Sequence, residues 1–194
     1  MSLENRIYSV LLVSASDTFN TAVYDMLPES KYSPVKTVKS INAAKRACAE
    51  KSFDFIIVNS PLPDGAGTRL AVDICSTSGT VVLFMAGAEL YGELNSELSR
   101  QGVFTLIKPT SKPMLLTALG WMASTRERLK KSEKKTLSIE EKMEEIRLVN
   151  RAKWLLIGEI KMDEQKAHRY IEKLAMDRCV SKREIAEEII KTYT

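Results

Sequence analysis

The sequence predicts an α/β fold in which a doubly wound, five-stranded parallel sheet is followed by a coiled-coil helix and a small three-helix domain. Three observations carry this prediction. In the first half of the chain, short runs rich in Val, Ile, Leu and Phe alternate with helical patterns. A charged helical pattern then extends from Pro113 to about Ile157, and two shorter amphipathic helices follow it. The 194 residues are enough for one ordinary domain and a smaller one.

The first half contains five predicted strands. Four are apolar runs bounded by turn residues, typical of strands buried on both faces; they cover residues 8–13, 53–59, 80–85 and 103–107. A fifth strand is predicted at 35–38, after a turn at Pro34. Helical patterns separate the strands at 17–27, 41–51, 67–75 and 89–100, and Pro113 begins the next helix. Five such units imply crossover connections, and therefore a parallel sheet with helices on both faces.

The long helical pattern carries a heptad repeat when Leu129 is placed at position a. The eleven a and d sites are Leu115, Ala118, Met122, Thr125, Leu129, Ser132, Thr136, Ile139, Met143, Ile146 and Asn150. Seven of these eleven residues are apolar. The repeat favours a parallel two-stranded coiled coil that makes the chain a homodimer, with Asn150 fixing the register. We expect the dimer contacts at Met122, Leu129, Ile139, Met143, Ile146 and Asn150. The alternative is one exposed helix that joins two domains, because the mixed charges between these sites would also keep a single helix solvated.

The helical pattern ends near Lys161, and two more helices are predicted after it. Asp163 can cap the first of them, and Ser181 with Glu184 forms a capping box at the start of the second. The apolar residues of each helix share one face and are Ala167, Tyr170, Ile171, Leu174 and Ala175, then Ile185, Ala186, Ile189 and Ile190. Three helices in so short a segment predict a small core.

Composition excludes several classes of site. Cys48, Cys75 and Cys179 are scattered without a CxxC pair, so neither a disulfide framework nor a zinc site is supported, and no cofactor is expected. His168 is the only histidine and has no nucleophile patterned around it, so an enzyme is not expected. No apolar run of membrane-spanning length or signal-peptide series occurs, which predicts a cytoplasmic protein without a membrane partner.

Net charge is unevenly distributed along the chain. The chain carries a net charge of +4, and residues 1–120 hold 11 Lys+Arg and 11 Asp+Glu, so the whole excess lies in the helical half. This bias is compatible with a nucleic-acid partner, although it is too small to indicate one by itself.

Three segments give the first half a resemblance to a known family: VLLVSAS at 10–16, FDFIIVNSPLPDG at 53–65, and Lys108-Pro109. Over about residues 5–123 the chain resembles the receiver domain of two-component response regulators, a flavodoxin-like fold. The resemblance implies carboxylates at the carboxyl ends of the strands, where they hold Mg²⁺ and where one aspartate accepts a phosphoryl group. We call the matching set of residues the strand-end pocket, and it consists of Ser14, Ala15, Asn59, Met85 and Lys108.

The strand-end pocket departs from that chemistry. Ser14 and Ala15 replace the acidic pair, Asn59 replaces the phosphoryl acceptor, and Met85 replaces the hydroxyl residue of the fourth strand; Thr105 also replaces the aromatic residue of the fifth strand. We therefore interpret the domain as a pseudo-receiver that binds no Mg²⁺ and is not phosphorylated. Lys108 is the one matching residue, and it can bind an anion or tether a loop through backbone carbonyls.

The other acidic residues near the strand ends have structural explanations, and the domain retains a signalling role. Asp17 is expected to cap a helix, and Asp64 to form a turn before Gly65. A pseudo-receiver can still offer a surface to a regulatory protein, with the loop after Asn59 and the turn at 85–90 as candidates.

A second resemblance lies at the carboxyl end of the chain. The residues that carry it are Ala152-Lys153, Leu155-Leu156, Ala167, Ile171, Ala175-Met176 and Ile185-Ala186. Their spacing is similar to that of the ANTAR domain, the RNA-binding module of the AmiR and NasR transcription antiterminators. Trp154 departs from the pattern, because glycine is frequent there, and so does Lys161, where a helix-ending glycine is common. We therefore expect a pseudo-receiver at 1–123, a coiled-coil linker at 124–138 and an ANTAR domain at 139–194.

The ANTAR resemblance implies that the protein binds hairpin RNA in a nascent leader transcript, so that a terminator cannot form. Such binding needs cations for phosphates and planar side chains for unpaired bases. The candidate RNA-binding residues are Arg151, Lys153, Arg169, Tyr170, Lys173, Arg178, Lys182 and Arg183. Trp154 and His168 can also stack on bases, although Trp154 and Tyr170 are expected in the core.

Two other hypotheses remain open from the sequence. The protein could be an adaptor that signals through protein contacts alone, with its helical end as a docking surface. It could also bind DNA, since its last two helices could mimic a helix-turn-helix, although Lys+Arg exceed Asp+Glu by only 10 to 8 after Asn150. Binding to hairpin RNA but not to duplex DNA would separate the three hypotheses.

Overall fold

The computed structural model describes residues 6–193. Its elements in chain order are β1 (Tyr8–Val13), α1 (Asp17–Tyr24), β2 (Tyr32–Val38), α2 (Ile41–Glu50), β3 (Phe55–Asn59), α3 (Thr68–Thr77), β4 (Val81–Gly87), α4 (Ala88–Arg100), β5 (Phe104–Lys108), α5 (Lys112–Ile160), α6 (Glu164–Asp177) and α7 (Lys182–Tyr193). The chain divides into two compact units, the first up to Lys131 and the second from Ser132. Within the described range, none of the helices is both long and apolar enough to cross a membrane.

The first unit is a doubly wound parallel sheet, as predicted. Its strand order is β2-β1-β3-β4-β5, and every neighbouring pair is parallel. Because alternate side chains of a strand point to opposite faces, the sheet supports two cores. Leu12, Ile57 and Leu83 pack with residues of α1 and α5 on one face. On the other face, Leu11, Ile56 and Phe84 pack with residues of α2, α3 and α4.

The two edge strands differ from the prediction. The run 103–107 was expected to be buried on both faces, but β5 is an edge strand and Ile107 is 42% exposed. The other edge strand, β2, begins at Tyr32 and therefore includes Pro34, which was expected to form a turn before the strand. Pro34 lacks an N–H group, and an edge strand tolerates this because one of its sides needs no hydrogen-bonded partner.

Two predicted roles of acidic residues are corrected by the structure. Ser16, not Asp17, caps α1, because its side chain accepts a hydrogen bond from the Phe19 N–H; Asp17 is the first helical residue and forms a 2.8 Å ion pair with Lys39. Asp64 does more than form a turn. Its carboxylate accepts hydrogen bonds of 2.8 and 3.0 Å from the N–H groups of Ile41 and Asn42, so it caps the distant helix α2.

The start of α5 belongs to the core of the first unit. Leu115, Ala118 and Met122 are buried among the residues of the sheet, and Leu129 packs against the same core. Met122 is therefore not available to a partner helix, and its assignment to the dimer seam is wrong. A helix face that packs on a sheet and a coiled-coil seam have almost the same spacing over a few turns. Residues 124–131, expected in the linker, lie in the first unit.

The second unit packs the end of α5 with α6 and α7. Its core residues come from all three helices and are Val149, Ala152, Leu156, Ala167, Ile171, Ala175, Ile185, Ala186 and Ile189. Asp163 caps α6 by accepting a hydrogen bond from the Lys166 N–H at 2.7 Å, and Ser181 and Glu184 form the expected capping box. Trp154 and Tyr170 are exposed, so the expectation that they are core residues is wrong.

Candidate functional site

The strand-end pocket is joined by hydrogen bonds among neutral groups and one lysine. The Asn59 amide nitrogen donates to Ser14 Oγ at 3.0 Å, and Lys108 Nζ donates to Asn59 Oδ1 at 2.8 Å. Lys108 Nζ also donates to the Ser60 carbonyl oxygen. Ser14 and Asn59 lie at the ends of the neighbouring strands β1 and β3, and both are buried. The structure therefore brings Ser14, Asn59 and Lys108 together, as the resemblance implied.

The other residues of the predicted set lie apart from this network. Ala15 is exposed, and the Met85 side chain is buried in the core between the sheet, α1 and α5. Thr105 donates its hydroxyl to Asn95 Oδ1 and so connects β5 to α4. Met85 has no hydroxyl to bond an incoming phosphoryl oxygen, and Thr105 is held by α4.

The network does not fit a magnesium ion. Mg²⁺ prefers hard oxygen ligands that usually include a carboxylate, whereas the joined groups here are a hydroxyl, an amide and an ammonium. Burial lowers the pKa of Lys108 from its usual value, since the surroundings penalise its charge. What the arrangement does is fix the loop after β3, because Lys108 holds the Ser60 carbonyl oxygen.

The second candidate site is a surface of the helical unit. Four of the predicted RNA-binding cations already pair with carboxylates. Lys153 pairs with Glu164 at 3.2 Å, Arg183 pairs with Glu187 at 2.9 Å, and Lys182 pairs with Glu172; Arg178 forms two hydrogen bonds with Glu188. The Glu188 carboxylate raises the pKa of Arg178 further above its usual value. These four cations retain little unbalanced charge.

Three other predicted cations have no ion pair or hydrogen bond within residues 6–193: Arg151 on α5, and Arg169 and Lys173 on α6. All three are exposed. The sequence identified all seven cations, but it could not distinguish the paired from the unpaired ones, because the ion-pair partners of Lys153, Arg178 and Lys182 lie on other helices or turns.

Exposed aromatic side chains accompany the unpaired cations. Trp154 is 72% exposed and lies one helical turn after Arg151, and Tyr170 is 40% exposed and lies one turn before Lys173. Each pair therefore presents a cation and a planar ring on one helix face.

An apolar stripe on α5 lies before the core of the second unit. Ile139, Met143 and Ile146 follow one another at spacings of four and three residues, and they are 48%, 64% and 59% exposed. Asn150, also exposed, continues the same face. This stripe is the part of the predicted seam that the protein's own core leaves uncovered.

Comparisons with known proteins agree with both resemblances. Residues 138–190 match the ANTAR domain family. The transcriptional regulatory protein PdtaR of Mycobacterium tuberculosis (strain ATCC 25618 / H37Rv) is 24% identical over 183 residues, which cover 94% of this chain and 89% of PdtaR.

Solved structures match the first unit. The signal receiver domain of an HD domain-containing protein from Pseudomonas fluorescens Pf-5 has a TM-score of 0.56 at 19% identity, covering 64% of this chain and 92% of that one. A response regulator receiver domain protein from Clostridium thermocellum has a TM-score of 0.55 at 18% identity, covering 63% of this chain and 98% of that one. At these identities the matches show the fold alone. The chain therefore joins a domain of the receiver fold to an ANTAR domain.

Proposed function

We propose that this protein is a transcription antitermination regulator whose ANTAR domain binds hairpin RNA in a nascent leader transcript. The observation that carries the proposal is that the segment matching the ANTAR domain carries three exposed, unpaired cations and two exposed aromatic rings. The similarity to a protein named as a transcriptional regulator supports the same class of function.

The chemistry of the surface favours RNA with unpaired bases. Arg151, Arg169 and Lys173 can approach phosphates without first breaking an ion pair, and Trp154 and Tyr170 offer flat faces to bases that a hairpin loop leaves unstacked. Lys153, Arg178, Lys182 and Arg183 contribute less, since each would have to leave a carboxylate. Duplex DNA offers phosphates but no exposed base faces.

A binding assay with matched variants tests this proposal. Fluorescence anisotropy is measured with a twin-hairpin RNA, the same sequence as duplex DNA, and a hairpin RNA with altered loop bases. We expect preference for the twin-hairpin RNA. The triple variant Arg151→Ala, Arg169→Ala, Lys173→Ala should weaken binding by about 100-fold. The slope of the logarithm of the binding constant against the logarithm of salt concentration should also become shallower, by the amount expected for the loss of roughly two to three phosphate contacts.

The control replaces three paired cations instead: Arg178→Ala, Lys182→Ala, Arg183→Ala. It removes the same formal charge, yet we expect a smaller loss of about tenfold or less, because these charges are already balanced. Equal losses in the two triple variants would show that the unpaired cations are not the contact surface. Absence of RNA binding by the unchanged protein would leave the adaptor hypothesis.

We propose further that the receiver-fold domain is an input that works without phosphorylation, through a small ligand or a regulatory protein. The absence of a carboxylate from the hydrogen-bonded set of Ser14, Asn59 and Lys108 supports this. Incubation with acetyl phosphate and Mg²⁺ should leave the mass of the intact protein unchanged. An acid-labile gain of one phosphoryl group would contradict the proposal.

Dimerisation through α5 is the third part of the proposal. Ile139, Met143 and Ile146 would form the seam, Asn150 would set its register, and Leu129 would lie at its edge. Light scattering should give twice the mass of one chain. Met143→Lys should shift the protein toward the monomer, whereas Glu141→Lys, at an exposed site on the face of α5 opposite the stripe, should not. A strictly monomeric unchanged protein would show that α5 acts as a single helix.

A further inference from the structure

The first unit contains an apolar cavity beside the strand-end pocket, with which it shares Met85 and Lys108. It lies between α1 and the loop that joins β5 to α5, and its volume is about 350 Å³. Its apolar lining comes from α1, β4 and α5 and consists of Phe19, Ala22, Val23, Met26, Met85 and Leu115. This volume lies at the lower end of the range for small-molecule sites, so the cavity suits a small organic molecule and not a folded segment.

The charged groups around the cavity are all positive. Lys108 and Lys112 line it, and its lining includes no aspartate or glutamate. The acceptors of Lys108 are an amide oxygen and a backbone carbonyl oxygen, both neutral. Neither lysine forms an ion pair with a described carboxylate. Lys112 is also the first residue of α5, where unpaired N–H groups add positive partial charge.

We propose that this cavity binds a small monocarboxylic acid with an apolar body. The carboxylate would lie at the lysine side of the cavity, where it supplies the negative charge that the lining lacks. The apolar body would pack among the side chains of α1 and Leu115. An inorganic anion fits less well because it would leave the apolar walls unused, and a neutral compound fits less well because it would leave the part-buried Lys108 ammonium without an anion.

The state of Lys108 supports this assignment. Burial lowers its pKa, and a carboxylate nearby would favour its charged form. The cavity also contacts the first turn of α5 through Lys112 and Leu115, so an occupant would stabilise the attachment of α5 to α1. This proposal is independent of RNA binding.

Methionine methyl NMR locates the occupant directly, with sodium octanoate as the probe and octanamide and octanol as neutral analogues of the same length. Of the eight methionines, Met26 and Met85 line the cavity, whereas Met143 and Met176 are exposed in the second unit. We expect octanoate to shift the Met26 and Met85 signals to saturation. The neutral analogues should bind more weakly than octanoate, by a factor of about ten or more. Equal binding of all three compounds would overturn the proposal, and so would equal shifts at Met143 and Met176 or no shifts.

A pair of variants on α1 separates a specific site from general surface binding. Ala22 is exposed and lines the cavity, so Ala22→Trp should fill the cavity and weaken octanoate binding by about tenfold or more. Thr21 is exposed on the same helix but does not line the cavity, and Thr21→Trp should bind octanoate as the unchanged protein does. Far-UV circular dichroism of both variants checks that they fold. Octanoate binding that survives Ala22→Trp in a folded protein would refute the site.

Discussion

The two ends of the sheet differ in whether a carboxylate takes part in their side-chain contacts. At the carboxyl end, the side chains that meet are Ser14, Asn59 and one lysine, with no carboxylate among them. At the amino end, Asp54 precedes β3 and accepts hydrogen bonds or ion pairs at 2.9 Å from both Arg126 and Lys130. The end at which a receiver would do chemistry therefore lacks carboxylates here, whereas the other end uses a carboxylate to fasten α5.

The amino end is a connected cluster. The Asp54 carboxylate also accepts from the N–H and the hydroxyl of Ser9, at 3.1 and 3.2 Å, and Lys130 lies over the Tyr8 ring, 5.6 Å from its centre. Glu127, the residue after Arg126, pairs with Arg6 at 2.7 Å. The cluster holds the part of α5 that follows Met122 against β1 and β3.

The largest effect is expected from Asp54→Asn. The Asp54 and Arg126 side chains are each 15% exposed and Lys130 is 28% exposed, so the substitution removes a poorly solvated negative charge from beside two cations. We expect a loss of about 2–3 kcal/mol in the free energy of unfolding of the first unit, which is less than for a fully buried pair. Urea unfolding followed by near-UV circular dichroism measures it. A loss below about 0.5 kcal/mol would mean that the cluster is no stronger than a surface ion pair.

Acid should remove the same contribution. Burial alone would raise the pKa of Asp54, but hydrogen bonds from Arg126, Lys130 and the Ser9 N–H outweigh it, so the pKa lies below its usual value. A carboxyl group with a depressed folded-state pKa stabilises the protein above its unfolded pKa and loses that contribution as pH falls through the folded value. Melting temperatures of the unchanged protein and Asp54→Asn should therefore differ at neutral pH and converge below about pH 4. A constant difference down to about pH 2 would contradict this.

The substitution Asn59→Asp, at the carboxyl end of the sheet, should have a smaller effect on the free energy of unfolding, and of the opposite sign. The new carboxylate would face Lys108 Nζ at the present 2.8 Å contact and supply the negative charge that this lysine lacks. Since a charge-assisted hydrogen bond is stronger than a neutral one, we expect a gain of about 1 kcal/mol in stability. The variant should still gain no mass with acetyl phosphate and Mg²⁺, because Ser14 and Ala15 supply no carboxylate for the metal. Phosphorylation of this variant would show that the acceptor alone was missing.

The smallest effect is expected from Asp17→Asn, which removes the exposed ion pair with Lys39. The two side chains are 80% and 63% exposed, so water already screens the pair. We expect a change within about 0.5 kcal/mol, measured by the same urea unfolding. A change as large as that of Asp54→Asn would mean that burial does not distinguish the two carboxylates.

The sequence was sufficient for features that depend on local periodicity. The five strands, their parallel arrangement and the two helices after α5 were predicted from apolar runs and caps, because these patterns are set by residues close together in the chain. The edge position of β5 was not predictable in this way. An apolar run of five residues can lie inside a sheet or at its edge, and Ile107 is exposed in a strand that lies at the edge.

Contacts between distant residues account for what the sequence could not predict. The carboxylate of Asp64 caps a helix that begins 23 residues earlier, and Asp54 meets cations more than 70 residues later. Met122 is a second example. Its spacing fits a coiled-coil seam and a core-facing helix face equally well, and only its packing against the distant sheet shows that it belongs to the core. For the RNA-binding candidates, the sequence supplied the cations, and the fold shows which of them retain unbalanced charge.

The amide at position 59 has a consequence for the timing of any response. An aspartyl phosphate is a covalent group that remains after the phosphoryl donor has dissociated, so a receiver with an aspartate acceptor stays modified for a time after that contact. An amide cannot store a signal as an acyl phosphate, and a response carried by reversible contacts would rise and fall with the concentration of the molecule that makes them.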